Sequence, residues 1–109
     1  MNDSDGIAVV AFSGELEISR KNEIREALNG CRDDRYVVLD LAGVTYADSI
    51  ALTELLRFCA EAEGAQRAVA LVVQTPQFAR LVQYAGLASA FKIFDDVGDA
   101  RSYLVTLRR

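Results

Sequence analysis

A serine that follows an acidic residue, between a predicted strand and a predicted helix, is the position in this chain best suited to chemistry. The predicted strand Val37–Leu41 is apolar except for Asp40, and Asp48 and Ser49 come just before a helical repeat that starts at Leu52. A hydroxyl at a helix start lies beside unpaired backbone N–H groups and the positive end of the helix dipole. Ser49 is therefore expected either to cap the helix or to carry a phosphate there.

The two interpretations of Ser49 differ in what they do to the surface. Phosphorylation would add a charge of about −1.5 to −2 at a place where the helix dipole stabilises it. The fold would survive, whereas a partner packed on this end of the helix would meet a bulky dianion. Acidic neighbours such as Asp48, Glu15 or Glu17 would add repulsion if their loops converge there. Spacing alone favours the alternative in which Asp48 and Ser49 only cap the helix.

Composition excludes several kinds of chemistry. The 109 residues include no histidine, which excludes histidine-based general base catalysis and His-containing zinc sites. Twelve basic and sixteen acidic residues give a net charge of −4 without a basic stripe, which argues against nucleic-acid binding. Cys31 and Cys59 fall on predicted apolar helix faces and are interpreted as reduced core thiols.

Length and hydropathy indicate one domain outside the membrane. A chain of 109 residues with 51% hydrophobic content suits a single core, so we expect one domain over residues 1–109. No apolar run approaches the roughly 20 residues that span a bilayer. The first residues are acidic where a signal peptide would be basic, so we expect a cytoplasmic protein without membrane insertion.

The elements that must position Ser49 alternate between strand and helix patterns. Short apolar runs predict four strands, at Ile7–Ser13, Val37–Leu41, Ala68–Val73 and Phe91–Phe94. Helical spacing predicts four buried faces: Ile24, Ala27, Leu28 and Cys31; Leu52, Leu55, Leu56 and Cys59; Phe78, Leu81, Val82 and Ala85; and Val97, Ala100, Leu104 and Leu107. Ser19 is expected to cap the first helix, and a turn at Ser13 and Gly14 to close the first strand. This order is typical of an α/β layer fold, in which functional groups gather at the carboxyl ends of parallel strands.

The run from Val38 to Leu52 closely resembles the signature of STAS domains, specifically that of bacterial anti-sigma factor antagonists. In that family the pattern D-L-x-x-V/L-x-F/Y-x-D-S-x-G-L carries the phosphorylated serine. The segment Ser13–Glu17 resembles the family's T/S-G-E-L-D, and Leu81–Phe94 resembles its third helix and last strand. The resemblance implies a STAS-like α/β fold, with a four- or five-stranded mixed β-sheet and about four α-helices packed against it.

The resemblance also implies a partner-switching function. The unphosphorylated antagonist of that family binds an anti-sigma factor, which is also an ATP-dependent serine kinase, and frees the sigma factor. Phosphorylation breaks the complex, and a phosphatase restores it. Ser49 matches the phospho-acceptor, Asp48 the acidic residue before it, and Glu17 the acidic position that ends the first-strand motif. The protein itself is then expected to be no enzyme and to need no cofactor, since ATP and magnesium belong to the partner.

The chain departs from the family pattern just after the serine. Ile50 and Ala51 stand where a small residue and then glycine are usual, and Thr53 stands where a second glycine is common. The helix should be stiffer, because alanine exceeds glycine in helix propensity by about 1 kcal/mol. The surface that a partner would approach is expected to consist of Ile50, Ala51, Glu54 and Phe58. Phe58 would anchor the partner as an exposed aromatic, or would lie instead at the edge of the core.

Other classes of function remain open from the sequence. A constitutive STAS subunit of a lipid-transport ATPase complex, or a scaffold in a stress-signalling assembly, would use Ser49 only as a cap. A receiver domain phosphorylated on Asp40 is disfavoured, because no acidic pair follows the first strand and Lys92 lies inside the last one. The remaining class is a small-molecule site, which some STAS domains are thought to have.

Overall fold

The computed structural model describes residues 6–74 and 92–107, together with Pro76 and Arg80. The elements in chain order are β1 (Ile7–Leu16), a 3-10 helix (Ile18–Arg20), α1 (Lys21–Asn29), β2 (Tyr36–Ala47), α2 (Ser49–Gly64), β3 (Ala68–Val72), β4 (Lys92–Phe94) and α3 (Val97–Leu107). The helix predicted around residues 75–86 lies outside the described residues, apart from Pro76 and Arg80.

The four strands form one sheet in the order β1-β2-β3-β4, and each pairing between neighbours is parallel. Val37, Val38 and Leu39 all have 0% exposure, so β2 is covered on both faces, as its continuous apolar run predicts. The α/β class and a four-stranded sheet are confirmed. The described strands make a parallel sheet where a mixed one was expected, and the described residues form three α-helices rather than about four.

Helices cover the two faces of the sheet. Successive side chains of a strand point to opposite faces. Val37, Leu39 and Leu41 accordingly belong to a core cluster shared with α1 and α2, whereas Val38 belongs to a second cluster shared with α3. Ser49, which opens α2, therefore lies in the α1–α2 layer.

The predicted helix faces are confirmed in α1 and partly in α3. Ile24 and Leu28 of α1 are buried, at 0% and 5% exposure. In α3, Ala100 and Leu104 are buried at 0%, but Leu107 is 44% exposed. The apolar stripe of α3 thus stops one turn before the position that the spacing predicts.

β1 continues past the predicted turn. The strand runs through Ser13 and Gly14 to Leu16, and its register with β2 shifts on either side of that pair. Gly14 has a φ of +77°, in the left-handed region that glycine adopts without a steric penalty. The turn prediction is therefore wrong, because the glycine makes a bulge in a strand that remains paired. Both β1 and β2 consequently reach the edge of the sheet where α2 begins.

The first helix starts without the predicted serine cap. Ser19 lies inside the 3-10 helix, and the N-cap residue of α1 is Arg20, whose side chain makes no capping hydrogen bond. Arg20 Nη1 instead donates to the carbonyls of Ser13 at 2.8 Å and Glu15 at 2.9 Å. Its guanidinium also pairs with Glu23, which raises the pKa of Arg20 and lowers the pKa of Glu23. The arginine thus joins the bulged end of β1 to the start of α1.

Replacing Gly14 by alanine should lower the free energy of unfolding by about 1–2 kcal/mol, because an L side chain is strained at this φ. The added Cβ would meet only Arg20 Nη1, at 3.7 Å, so the strain lies in the backbone rather than in a clash. Gly64→Ala is the matched control, since nothing lies within 4 Å of its added Cβ, and alanine should stabilise a helical position by about 0.5–1 kcal/mol. Urea denaturation measures both variants. A Gly14→Ala protein as stable as the wild type would contradict the left-handed backbone conformation of the bulge at Gly14.

Candidate functional site

Asp48 joins the end of β1 to the start of α2 through three hydrogen bonds. Its backbone N–H donates to the Leu16 carbonyl at 3.0 Å. Its Oδ1 accepts from the Ala51 N–H at 2.8 Å, and its Oδ2 accepts from the Ile18 N–H at 2.8 Å. One carboxylate therefore caps the helix and also fixes the segment that follows β1.

Ser49 is the first residue of α2, and it is exposed. Its carbonyl accepts a hydrogen bond from Thr53 Oγ1 at 2.7 Å, whereas its hydroxyl has no hydrogen bond to any residue in the described part of the chain. The capping role that the sequence left open for Ser49 belongs to Asp48, which is the N-cap of α2. The hydroxyl is thus held at the amino end of a helix without being needed to build that end.

Glu17 lies between Leu16 and Ile18, the two residues whose backbone groups are hydrogen-bonded to Asp48. It is partly buried, and its carbonyl accepts the N–H of Arg20 at 2.8 Å. Its carboxylate makes no hydrogen bond to Asp48 or Ser49 among the described contacts. Glu17 therefore lies in the same loop cluster as Asp48, and its role in the environment of Ser49 stays a prediction.

Exposed apolar side chains flank this helix start. Ile18, Tyr46 and Ile50 are 57%, 53% and 37% exposed, and they are three of the four exposed large hydrophobic residues within the described ranges. Ile18 is hydrogen-bonded to the cap residue, Tyr46 precedes the cap by two residues, and Ile50 follows Ser49 directly. We call these three residues the Ser49 rim. Exposed apolar side chains on segments that meet at one helix start are candidates for an interaction site, and the sequence analysis singles out only Ile50.

Three of the four residues predicted to form the partner surface are buried. Ala51, Glu54 and Phe58 are 1%, 6% and 3% exposed, and only Ile50 reaches the surface. Of the two positions that the sequence leaves open for Phe58, the exposed one is wrong, because its ring packs in the core with the Arg67 guanidinium 5.3 Å from its centroid. The added bulk expected at Ala51 likewise faces inward, so only Ile50 of this pair enlarges the surface.

Glu54 is buried because arginines neutralise it. Arg25 of α1 donates from Nε to Glu54 Oε1, and Arg57 Nη1 lies 3.3 Å from Oε2. A carboxylate leaves water at an acceptable cost only when it is paired in this way. The hydrogen bond from Arg25 is the main cause that lowers the pKa of Glu54, with smaller contributions from the charges of Arg57 and Lys21. This ion cluster joins α1 to α2 one turn beyond the helix start.

The remaining candidate groups do not form a reactive centre. Cys31 and Cys59 occupy buried positions, as predicted for core thiols, and burial raises the pKa of both, to about 12 for Cys59. Asp40 uses Oδ1 to accept the N–H of Ala42 at 3.0 Å. Within residues 6–74 and 92–107, no group of three or more metal-ligating side chains could hold a metal ion. The helices of that same part include none with the length and apolar character to cross a bilayer.

Comparison with known proteins relates this arrangement to one family. A family model described as "STAS domain" matches residues 1–100. An anti-sigma factor antagonist from Mycobacterium paratuberculosis has a similar structure, with a TM-score of 0.81 and 26% sequence identity over 94% of this chain and 88% of that chain. No curated protein matches the sequence.

Two more distant structures share the fold. The Bacillus cell fate determinant SpoIIAA in its phosphorylated form has a TM-score of 0.75 and 16% identity, covering 95% of this chain and 96% of that chain. A sulfate transporter family protein from Wolinella succinogenes has a TM-score of 0.74 and 15% identity, covering 98% of this chain and 89% of that chain. The same fold therefore occurs in regulatory proteins and in transporter proteins.

Substitutions at Asp48 and Ser49 should distinguish the contribution of the capping carboxylate to stability from that of the serine hydroxyl. Asp48→Ala should lower the free energy of unfolding by about 1–2 kcal/mol, because the helix loses its cap and Ile18 loses its acceptor. Ser49→Ala should change it by less than about 0.5 kcal/mol, as expected for a surface side chain whose hydroxyl makes no hydrogen bond to the described residues. Chemical denaturation of both variants measures the difference. Equal destabilisation by the two substitutions would mean that the hydroxyl caps the helix after all.

The Glu54 cluster should make the protein sensitive to acid. The pKa of Glu54 is lowered from its ordinary value of 4.5 in the folded state. Its stabilising contribution is therefore present above that value and is lost as the pH falls through the lower, folded-state pKa. Glu54→Gln should flatten the stability profile below that pH, and Glu61→Gln, whose side chain is half exposed, is the control that should keep the wild-type profile. Thermal unfolding measured over a range of pH tests this prediction. Identical profiles of melting temperature against pH for the wild type and Glu54→Gln would refute a role for Glu54.

Proposed function

Because this chain belongs to the STAS domain family, we propose that it is a single-domain anti-sigma factor antagonist whose activity is controlled by phosphorylation of Ser49. The observation that carries the proposal is the exposed hydroxyl of Ser49, beside a carboxylate that already caps α2. A hydroxyl in this position can be modified without removing any bond on which the fold depends. The similarity to the antagonist from Mycobacterium paratuberculosis supports the same function.

The helix start would tolerate the phosphate. A phosphoserine at the first position of α2 adds about −1.5 to −2 charges next to the positive end of the helix dipole. Unpaired N–H groups of the first turn would face the phosphate oxygens. The negative charges of Asp48 and Glu17 repel the phosphate, but this repulsion does not require any hydrogen bond of the helix cap to break. The phosphorylated protein is therefore expected to remain folded.

A bound partner would not tolerate it. In the unphosphorylated state, the Ser49 rim offers the exposed apolar side chains of Ile18, Tyr46 and Ile50 together with a small neutral hydroxyl. A partner that covers this rim would have to desolvate the dianion after phosphorylation, which costs several kcal/mol when no cation compensates it. A few kcal/mol corresponds to a loss of affinity of about a hundredfold or more. The complex is then released.

The partner that fits this scheme is an anti-sigma factor that is also a serine kinase. The kinase supplies ATP and magnesium, a phosphatase removes the phosphate, and the antagonist itself catalyses nothing. The proposal assigns the protein to the cytoplasm, where such a kinase meets its sigma factor.

A second candidate function is a permanent STAS subunit of a transporter or signalling complex. The fold shared with the Wolinella succinogenes sulfate transporter family protein favours it. Ile50 and Thr53 also favour it, because they place bulk where the family usually has a small residue and a glycine, at the surface that a kinase would approach. In this alternative Ser49 is never modified, so mass spectrometry of the protein from its native host would find no phosphoserine, and a transporter ATPase would co-purify with it.

Incubation with the cognate anti-sigma kinase and radiolabelled ATP should label the wild type and leave Ser49→Ala unlabelled. Ser102→Ala is the matched control, since Ser102 is exposed on α3 and should not affect labelling. In calorimetric titrations with the kinase, Ser49→Asp should bind at least about tenfold more weakly than wild type, whereas Ser102→Asp should bind equally well.

Two results would overturn the proposal. One is labelling that persists in Ser49→Ala, which would place the modification elsewhere. The other is a Ser49→Asp protein with wild-type affinity, which would mean that negative charge at the helix start does not control the complex.

A further inference from the structure

A groove runs between α1 and α2 from the first turn of α2 at Ile50 to its fourth turn at Glu61. It consists of two adjoining pockets of about 210 and 280 Å³ that share Arg25, Glu54 and Arg57. Ile50 and Glu61 are eleven positions apart in the helix, so the groove between them is about 16 Å long. That length accommodates about five residues of an extended peptide, or about three turns of a helix.

The groove is positively charged, although the chain as a whole is acidic. Its charged lining residues are Lys21, Arg25, Arg32 and Arg57, against Glu54 and Glu61. The lining therefore carries a net charge of +2, whereas the chain carries −4. Such a concentration of one sign in a concave surface attracts ligands of the opposite sign.

Glu54 orients the two central guanidinium groups without occupying all of their donors. The described hydrogen bonds use Nε of Arg25 and Nη1 of Arg57. The two arginine side chains are 47% and 57% exposed. Their remaining N–H groups can therefore donate to a carboxylate in the planar, paired geometry that arginine favours.

The outer cation of the groove is also available. Arg32 Nη2 lies 3.8 Å from Glu61 Oε1, and both side chains are more than half exposed. An ion pair of this kind contributes little free energy, because water competes with it and two long side chains must be ordered. Arg32 can therefore exchange Glu61 for a carboxylate on a ligand at small cost.

We propose that this groove binds an acidic segment of the partner protein that covers Ser49, an inference that rests on the proposed function for the identity of that partner. A protein segment fits better than a nucleic acid, because a peptide can place separate carboxylates on the arginines and avoid the exposed Glu61, whereas a nucleic acid carries a phosphate at every nucleotide. A peptide can place carboxylates on the arginines and an apolar side chain on Ile50, which is exposed and also lines the groove.

The position of the groove gives phosphorylation a second means of releasing the partner. Ile50 belongs both to the Ser49 rim and to the lining of the groove, so the two surfaces are continuous. A phosphate on Ser49 adds negative charge at the mouth of the groove. That charge repels an acidic segment and also reduces the attraction of Lys21, Arg25 and Arg57 for it.

Fluorescence anisotropy with two labelled peptides tests the inference. One peptide is rich in glutamate and leucine, and its counterpart has glutamine in place of every glutamate. The glutamate peptide should bind the wild type at low salt, more tightly than the glutamine peptide, and should weaken at high salt. Lys21→Gln/Arg57→Gln should weaken the glutamate peptide about tenfold. Arg35→Gln/Lys92→Gln removes the same charge from exposed residues outside the groove and should leave binding unchanged.

The inference fails if the two peptides bind alike, or if the two double variants behave alike while both remain folded by urea denaturation. These failures differ from failure of the proposed function, because the peptide measurement involves neither the kinase nor Ser49. If the kinase labels Ser49 and Lys21→Gln/Arg57→Gln still binds it with wild-type affinity, only the groove assignment is refuted. If Ser49 is never labelled while the peptides discriminate as expected, the groove binds acidic peptides and the proposed partner is wrong.

Discussion

The carboxylate of Asp48 is the group on which the candidate site depends. It caps α2 through the Ala51 N–H and holds Ile18, which is 30 residues away in sequence, through the other oxygen. These bonds are possible because β1 and β2 are parallel and end side by side, with Leu16 opposite Ala47. The sheet edge, the loop after β1 and the start of α2 are thereby joined at one side chain, and the neighbouring hydroxyl of Ser49 is left exposed.

Because Asp48 caps the helix and Ser49 does not, the helix start can stay rigid while the serine hydroxyl stays exposed. The capping bonds belong to Asp48, so the charge on Ser49 can change while the hydrogen bonds of the helix do not. The apolar rim and the cationic groove then meet at Ile50, on either side of the same serine. A partner that uses both surfaces contributes apolar contacts and carboxylates at once, and a phosphate between them opposes both kinds of contact.

Much of the fold could be predicted from local patterns, and the errors have identifiable physical causes. The strand-to-helix junction at Ser49 followed from an apolar run and a helical repeat, which are local. The buried face of α2 was predicted one position away, because Glu54 looked like a solvent-facing residue; its neutralising partner Arg25 lies 29 residues earlier on another helix. An exposed position was one of the two alternatives for Phe58 for the same reason. Gly14 looked like a turn because only its pairing with β2 reveals a bulge, and nothing local shows that Ile18 and Tyr46 stay uncovered.

The most direct test of the central claim compares the protein before and after stoichiometric phosphorylation of Ser49, with stability and affinity for the anti-sigma kinase measured on the same samples. The account predicts that the free energy of unfolding stays within about 1 kcal/mol of its original value, while the Kd of the complex rises at least about a hundredfold. A phosphorylated protein that binds the kinase as tightly as before, or that unfolds once the phosphate is attached, would contradict it.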